Sequence, residues 1–207
     1  MNQGFLEIYG IILVVLTATQ FFGQVVKSLR TKSTRDLSWW TFVITFVISA
    51  LWVMFGIWRS AGEIVWANAI VNVSCIAILV TKYFVERPAI NIRQIFSSPV
   101  RKIVAIIAVG VIVLAIAAII MPSLRGILGW VTTVLNVSQL IPQAIKSFKT
   151  KSTKDLSWWT FAQIFTIPIL WTLYGVWNGL FEVIATNMLV GIICGAILVR
   201  KYLSEKK

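Results

Sequence analysis

Two tryptophan–asparagine pairs carry the most usable chemistry in the chain: Trp52 with Asn68, and Trp171 with Asn187, each pair sixteen residues apart. An indole face packs the apolar C–H face of a sugar ring, and an asparagine amide supplies an acceptor and two donors with no charge to strip of water. Two such pairs facing one another would enclose a pocket with two aromatic walls and two amides, which suits a neutral polyol. Ile48 and Ile167, one turn before the tryptophans, are placed to set its size. Bond-making chemistry is poorly provided for. The chain has no histidine, so the usual general base and the commonest metal ligand are both missing, which removes His-based triads and most zinc sites. The chain reads as a binding protein without metal or cofactor, and not as an enzyme.

The elements that must position these residues are apolar. Of 207 residues, 58% are hydrophobic and 13% charged, against roughly 25% charged in an ordinary soluble domain, and the mean hydropathy is +0.88. A segment of about 20 mainly apolar residues crosses a bilayer. That rule predicts seven spans, at 5–26, 38–58, 63–84, 101–121, 124–146, 157–177 and 180–203, with a linker at Ser97, Ser98 and Pro99. Trp52 then lies about six residues before the outer end of its span, and Asn68 about six after the outer start of the next, so both sit roughly 9 Å deep. Trp171 and Asn187 repeat the arrangement.

The net charge of +12 comes in short basic clusters between the apolar runs, a topology signal and not a nucleic-acid footprint. With alternating spans, one side receives 17 of the 19 Lys and Arg residues and the other only Arg59 and Arg125. The basic side is cytoplasmic by the positive-inside rule, so the N-terminus is outside and the C-terminus inside, in a multi-pass protein of the cell membrane. The first span lacks a basic n-region and carries Glu7, so it reads as retained and not as a signal peptide. Cys75 and Cys194 fall inside apolar segments and read as buried thiols. Trp39, Trp40, Trp158 and Trp159 beside the basic loops, and Trp58 and Trp177 at the other face, read as interfacial belts.

At an offset of 119 residues the chain repeats itself: 32–42 returns as 151–161 with one change, Arg35 to Lys154, and 10–84 shares 34 identities in 75 positions with 129–203. Three spans is an odd number, so two copies joined directly would point in opposite directions; the fourth span, with no counterpart, restores a parallel orientation. The expected fold is all-α, two parallel three-helix bundles plus one linker helix, divided as 1–84, 85–123 and 124–207. Such repeats place a site between the halves near the bilayer midplane.

Polar groups inside a span are costly unless they face protein or a water-filled cavity, so they map the interior. Thr17, Gln20 and Gln24 form one helical stripe, and Asn136, Gln139 and Gln143 form its copy. The glutamines read either as interhelical hydrogen-bonding groups or as pathway lining. Pro142 removes a backbone hydrogen bond and is a hinge candidate, with Gly23 at the equivalent place; Pro168 faces Ser49 across the repeat. All seven acids fall at span ends or in loops, and Asp36, Asp155, Glu63 and Glu182 read as caps at helix N-termini. Proton coupling normally needs an ionisable group within a span, so facilitated diffusion is expected.

Ile-Pro-Gln at 141–143, Lys-Thr-Lys-Ser-Thr-Lys-Asp-Leu-Ser at 149–157, Leu-Tyr-Gly at 173–175 and Asn187 resemble the PQ-loop pattern of the MtN3/saliva superfamily, specifically the SWEET and SemiSWEET sugar transporters. The resemblance covers both halves, about 150 residues. It implies bundles packed in the order 1-3-2, a central cavity, a sugar site at Trp52, Asn68, Trp171 and Asn187, and alternating access with the PQ-containing helix as hinge. Gly23 departs from the pattern, which calls an equal hinge in both halves into question. Because both copies lie in one chain, a monomer can hold a complete pathway. Cystinosin-like PQ-loop proteins, which move amino acids with protons, are the rival within transport but call for an acid inside a span. A seven-helix receptor, such as the PQ-loop-like KDEL receptor, has no need of duplicated pocket residues.

Overall fold

The computed structural model describes residues 3–31, 39–86, 99–141 and 158–205. Among them are seven α-helices and no strand: α1 Gln3–Thr31, α2 Trp39–Trp58, α3 Gly62–Glu86, α4 Pro99–Ile120, α5 Arg125–Ser138, α6 Trp158–Asn178 and α7 Phe181–Glu205, with a short 3-10 turn Pro122–Leu124 before α5. Each lies where a span was expected, with one informative difference. The span at 124–146 was expected to be continuous, yet regular helix stops at Ser138, and Leu140 N–H turns back to the Val137 carbonyl at 3.1 Å. Proline cannot donate to the carbonyl four residues back and its ring crowds it; for Pro142 that carbonyl belongs to Ser138. Pro142 and Gln143 themselves lie outside the described residues. Gly23 and Gln24, their counterparts, lie within α1, which is helical throughout; the Gln24 side chain is outside the described set.

Helix α3 packs against both α1 and α2, and α7 against both α5 and α6; between the halves α1 meets α6 and α2 meets α5, while α4 rests on α5. The two cross-half contacts are images of each other under the repeat offset. A shared apolar core joins them, built from Ile48, Trp52, Phe55 and Ile64 on one side and Ile167, Trp171, Tyr174 and Val183 on the other. The outward faces are apolar as well: Ile8, Ile11, Ile12 and Val15 on α1, and Ile112, Ile116 and Ile119 on α4, are exposed at helical spacing. Hydroxyls take the inside, with Ser49, Thr132, Thr133 and Thr186 buried. This distribution suits hydrocarbon as the surrounding solvent. Thr41–Trp58, Gly62–Val85 and Phe181–Val199 are each long and apolar enough to cross a membrane, with shorter apolar stretches at Gly4–Gln20 and Val109–Ile120. The chain is an integral membrane protein.

The halves are held by different local devices. The Ser49 hydroxyl donates to Asn72 Oδ1 at 2.7 Å, tying α2 to α3; the equivalent residues in α6 and α7 are Pro168 and Gly191, with no polar atoms to pair. Pro168 sits inside α6, and the helix runs on through it. Both α2 and α6 end in the same turn, in which the backbone N–H five residues on returns to the helix: Ala61 N–H to the Gly56 carbonyl and Leu180 N–H to the Gly175 carbonyl, each at 2.9 Å. The turn requires a left-handed residue, Gly179 at φ 64° in one copy and Ser60 at φ 53° in the other. Glycine adopts that conformation freely and serine does not.

Two stability predictions follow from this geometry. Ser60→Gly removes a left-handed strain of about 1 kcal/mol and is expected to raise the melting temperature in detergent. Gly10→Val is expected to lower it by several degrees, because a Cβ there runs into the Glu63 side chain, whereas Gly126→Val, with nothing within 4 Å, leaves it nearly unchanged.

Candidate functional site

Trp52, Asn68, Trp171 and Asn187 come together. They line a cavity of about 110 Å³ between the halves, together with Thr17, Asn136 and Thr186. It adjoins a wider compartment of about 280 Å³ that shares Thr17, Trp52, Asn68, Asn136, Trp171 and Asn187 and extends past Gln20, Gln139, Ile48 and Ile167 to Leu140, Cys194 and Ile197. The wider end therefore opens toward the ends of the helices that carry the basic loops. Among the described residues, no acid or base lines either compartment.

Each asparagine is held by its own helix. Asn68 Nδ2 donates to the Ile64 carbonyl and Asn187 Nδ2 to the Val183 carbonyl, both at 2.9 Å. Since a carbonyl only accepts, this bond fixes the amide orientation and leaves Oδ1 and the second N–H for whatever enters the cavity. The tryptophans are buried, 6% and 8% exposed, and each is braced edge-on by an aromatic one turn further along: Trp52 by Phe55, with centroids 5.2 Å apart, and Trp171 by Tyr174, at 5.3 Å. Such edge-to-face packing holds the ring planes, which is what a sugar-facing wall needs.

The remaining sequence candidates fall less uniformly. Gln20 and Gln139 both line the wider compartment, and Gln139 also bonds across helices, its Nε2 donating to Asn136 Oδ1 at 2.9 Å and its Oε1 lying 3.4 Å from the Thr45 hydroxyl of the other half. Gln139 thus bonds between helices and borders the compartment. Ile48 and Ile167 are buried at the cavity wall, as their place one turn before the tryptophans requires. Cys75 and Cys194 are free and buried. Trp58 and Trp177, expected as interfacial belt, are half-buried at the helix ends: the Arg125 guanidinium lies 5.3 Å over the Trp58 ring, and Trp177 meets Tyr9 edge-on at 4.8 Å.

Glu63 and Glu182 occupy the first turns of α3 and α7, where a negative charge is favoured. Reading them as caps alone missed their main contacts, which cross between the halves. Arg59 Nη2 donates to both Glu182 oxygens at 3.0 and 3.3 Å, and the Tyr174 hydroxyl donates to Glu63 Oε2 at 2.6 Å. Glu182 is buried, so Arg59 is what makes its charge tolerable there. Tyr9 adds a third cross-half bond, to the Leu170 carbonyl at 2.7 Å. Behind Glu182, Thr186 and Thr133 share a hydrogen bond at 2.8 Å that ties α7 to α5. The signal for this cluster was present in the repeat: both acids are retained at the offset while the residues facing them diverge, Phe55 to Tyr174 and Arg59 to Asn178.

Comparison with known proteins agrees with this geometry. The PQ loop repeat family model matches twice, at residues 5–64 and 124–184. A sugar transporter SemiSWEET from Bradyrhizobium diazoefficiens is 32% identical over 80 residues, which span 39% of this chain and 93% of that protein. Another from Leptospira biflexa is 34% identical over 64 residues, 31% of this chain and 75% of the relative. The fold matches a solved eukaryotic SWEET transporter with a TM-score of 0.68 at 14% identity, covering 98% of this chain and all of that one. With two matched repeats meeting around one cavity, and with relatives that are transporters and not enzymes, the chain belongs to the PQ-loop repeat family, in its SWEET and SemiSWEET branch.

Proposed function

We propose that the chain carries a small neutral sugar across the membrane as a uniporter working by alternating access. The observation that carries this reading is the uncharged cavity at the junction of the halves, walled by Trp52 and Trp171 and furnished with the amides of Asn68 and Asn187. Its size and the isoleucines at its wider end favour a monosaccharide. The architecture is a first repeat at 1–84, a linker helix at 85–123 and a second repeat at 124–207, as seven spans with the N-terminus outside. The described cavity walls hold no acid, and Glu63 and Glu182 are committed to cross-half ties, which favours uniport over proton coupling. Arg59–Glu182, Tyr174–Glu63 and the shared apolar core close the outer side, while the wide compartment extends toward the basic side as far as Leu140 and Ile197. Opening outward means parting those contacts as the halves rock.

Counterflow of radiolabelled glucose and sucrose into proteoliposomes, with and without a pH gradient, tests the function. Glucose uptake is expected to ignore the gradient and to fall at least tenfold in Asn68→Ala and in Asn187→Ala. Absence of sugar flux, or amino-acid flux driven by the gradient, would overturn the proposal. The outer closure has its own test, in a background with Cys75→Ser and Cys194→Ser. A cysteine introduced by Ala67→Cys, on the cavity wall and fully buried, is expected to react about three- to tenfold faster with an impermeant maleimide applied outside when Arg59→Ala and Tyr174→Phe are added. Equal labelling rates would show that these ties do not hold the outer side shut.

A further inference from the structure

The two tryptophans occupy the same place in the two repeats, yet their indole N–H groups do not have the same partner. Trp171 Nε1 donates across the halves to the Thr17 hydroxyl at 3.2 Å. The residue equivalent to Thr17 is Asn136, and its Oδ1 is already engaged by Gln139 Nε2 at 2.9 Å. Among the described residues nothing accepts the Trp52 N–H, although Trp52 is 6% exposed. A buried donor without an acceptor is expensive, and almost all such groups in native structures find one. The unfilled space against Trp52 is the cavity, whose two compartments it borders.

We propose, resting on the sugar-transport reading, that Trp52 is the one tryptophan that hydrogen-bonds the substrate, donating its indole N–H to a sugar oxygen, while Trp171 offers only its ring face. Thr17 is then a positioning residue: it takes up the Trp171 N–H and fixes that ring. The first half supplies an N–H from Trp52 and a carbonyl oxygen from Asn68, and the second half supplies the carbonyl oxygen of Asn187 without a matching indole donor. A site made of two identical copies presents the same face to both orientations of a ligand. This one does not, so the sugar is held in one orientation, with one particular hydroxyl oxygen accepting from Trp52.

The test is equilibrium binding of radiolabelled glucose to the purified protein in detergent, with competition by each monodeoxyglucose. Wild type is expected to bind one deoxyglucose about tenfold more weakly than glucose, the loss typical of one hydrogen bond. Trp52→Phe is expected to bind glucose about tenfold more weakly and to stop distinguishing that deoxyglucose from glucose, since the donor and the hydroxyl are partners in one interaction. Trp171→Phe alters the stacking wall and is expected to weaken glucose binding, but to keep the distinction between glucose and that deoxyglucose. Asn136→Thr guards against misfolding of Trp52→Phe: it places a threonine at the position equivalent to Thr17, occupies the Trp52 N–H, and is expected to erase discrimination at the same hydroxyl. Loss of the distinction in Trp171→Phe as well as in Trp52→Phe, or discrimination that survives in both Trp52→Phe and Asn136→Thr, would overturn the assignment while leaving sugar binding intact. A wild-type protein that binds none of these sugars would overturn the transport reading itself.

Discussion

Hydrocarbon offers no hydrogen-bond partner, and that constraint arranges everything polar in this bundle. A side chain with a donor or acceptor must find its complement on another helix, on its own backbone, or in a cavity that admits water or substrate. The three outcomes are separated in space. Serines and threonines on outward or packed faces fold back on the carbonyl one turn earlier, as Thr81 does on Ala77 and Thr172 on Pro168. Thr133 and Thr186 satisfy each other between α5 and α7. The asparagine carbonyl oxygens and the Trp52 indole are left over, and they border the same cavity. These are the groups that the described hydrogen bonds leave available at the cavity.

Duplication within one chain lets each half solve the same packing problem with different residues. Ser49 bonded to Asn72 fastens α2 to α3, whereas the equivalent Pro168 and Gly191 offer no side-chain hydrogen bond between α6 and α7. Proline in α6 also withdraws one backbone bond from the helix, so that wall of the cavity resists bending less than its counterpart. The early end of α5 at Ser138 adds a second break in the same half. Any rocking motion therefore draws more of its flexibility from the second repeat than from the first, where α1 runs unbroken through Gly23.

Much of this was legible in the sequence, for a physical reason. Residues such as Trp52, Asn68, Trp171 and Asn187 are visible because a polar or amphipathic side chain inside an apolar span has few other uses, and the repeat offset doubles the signal. Helix positions were legible because bilayer thickness sets their length. The cross-half partners were not. Arg59–Glu182 and Tyr174–Glu63 join residues 123 and 111 apart in the chain, and nothing local to either residue encodes which helix end faces it. The end of α5 was readable in principle, because a proline acts on the carbonyl four residues earlier, but a hydropathy window averages over such a point.

The two cross-half ties, Arg59–Glu182 and Tyr174–Glu63, differ in kind. Glu182 is almost fully enclosed and meets a guanidinium that is 45% exposed, so its Coulomb attraction is screened on one side while the carboxylate still carries the cost of burial. Breaking that tie frees Glu182 toward water, which returns part of what burial took. Glu63 meets a neutral phenol that donates one short bond, and the same ring braces the Trp171 wall of the cavity. Opening at Tyr174 therefore disturbs the wall on which a sugar would stack, whereas opening at Arg59 does not touch Trp171. Under the proposed alternating access, the Tyr174–Glu63 contact is the tie that shares a residue with the cavity wall and so links cavity occupancy to closure.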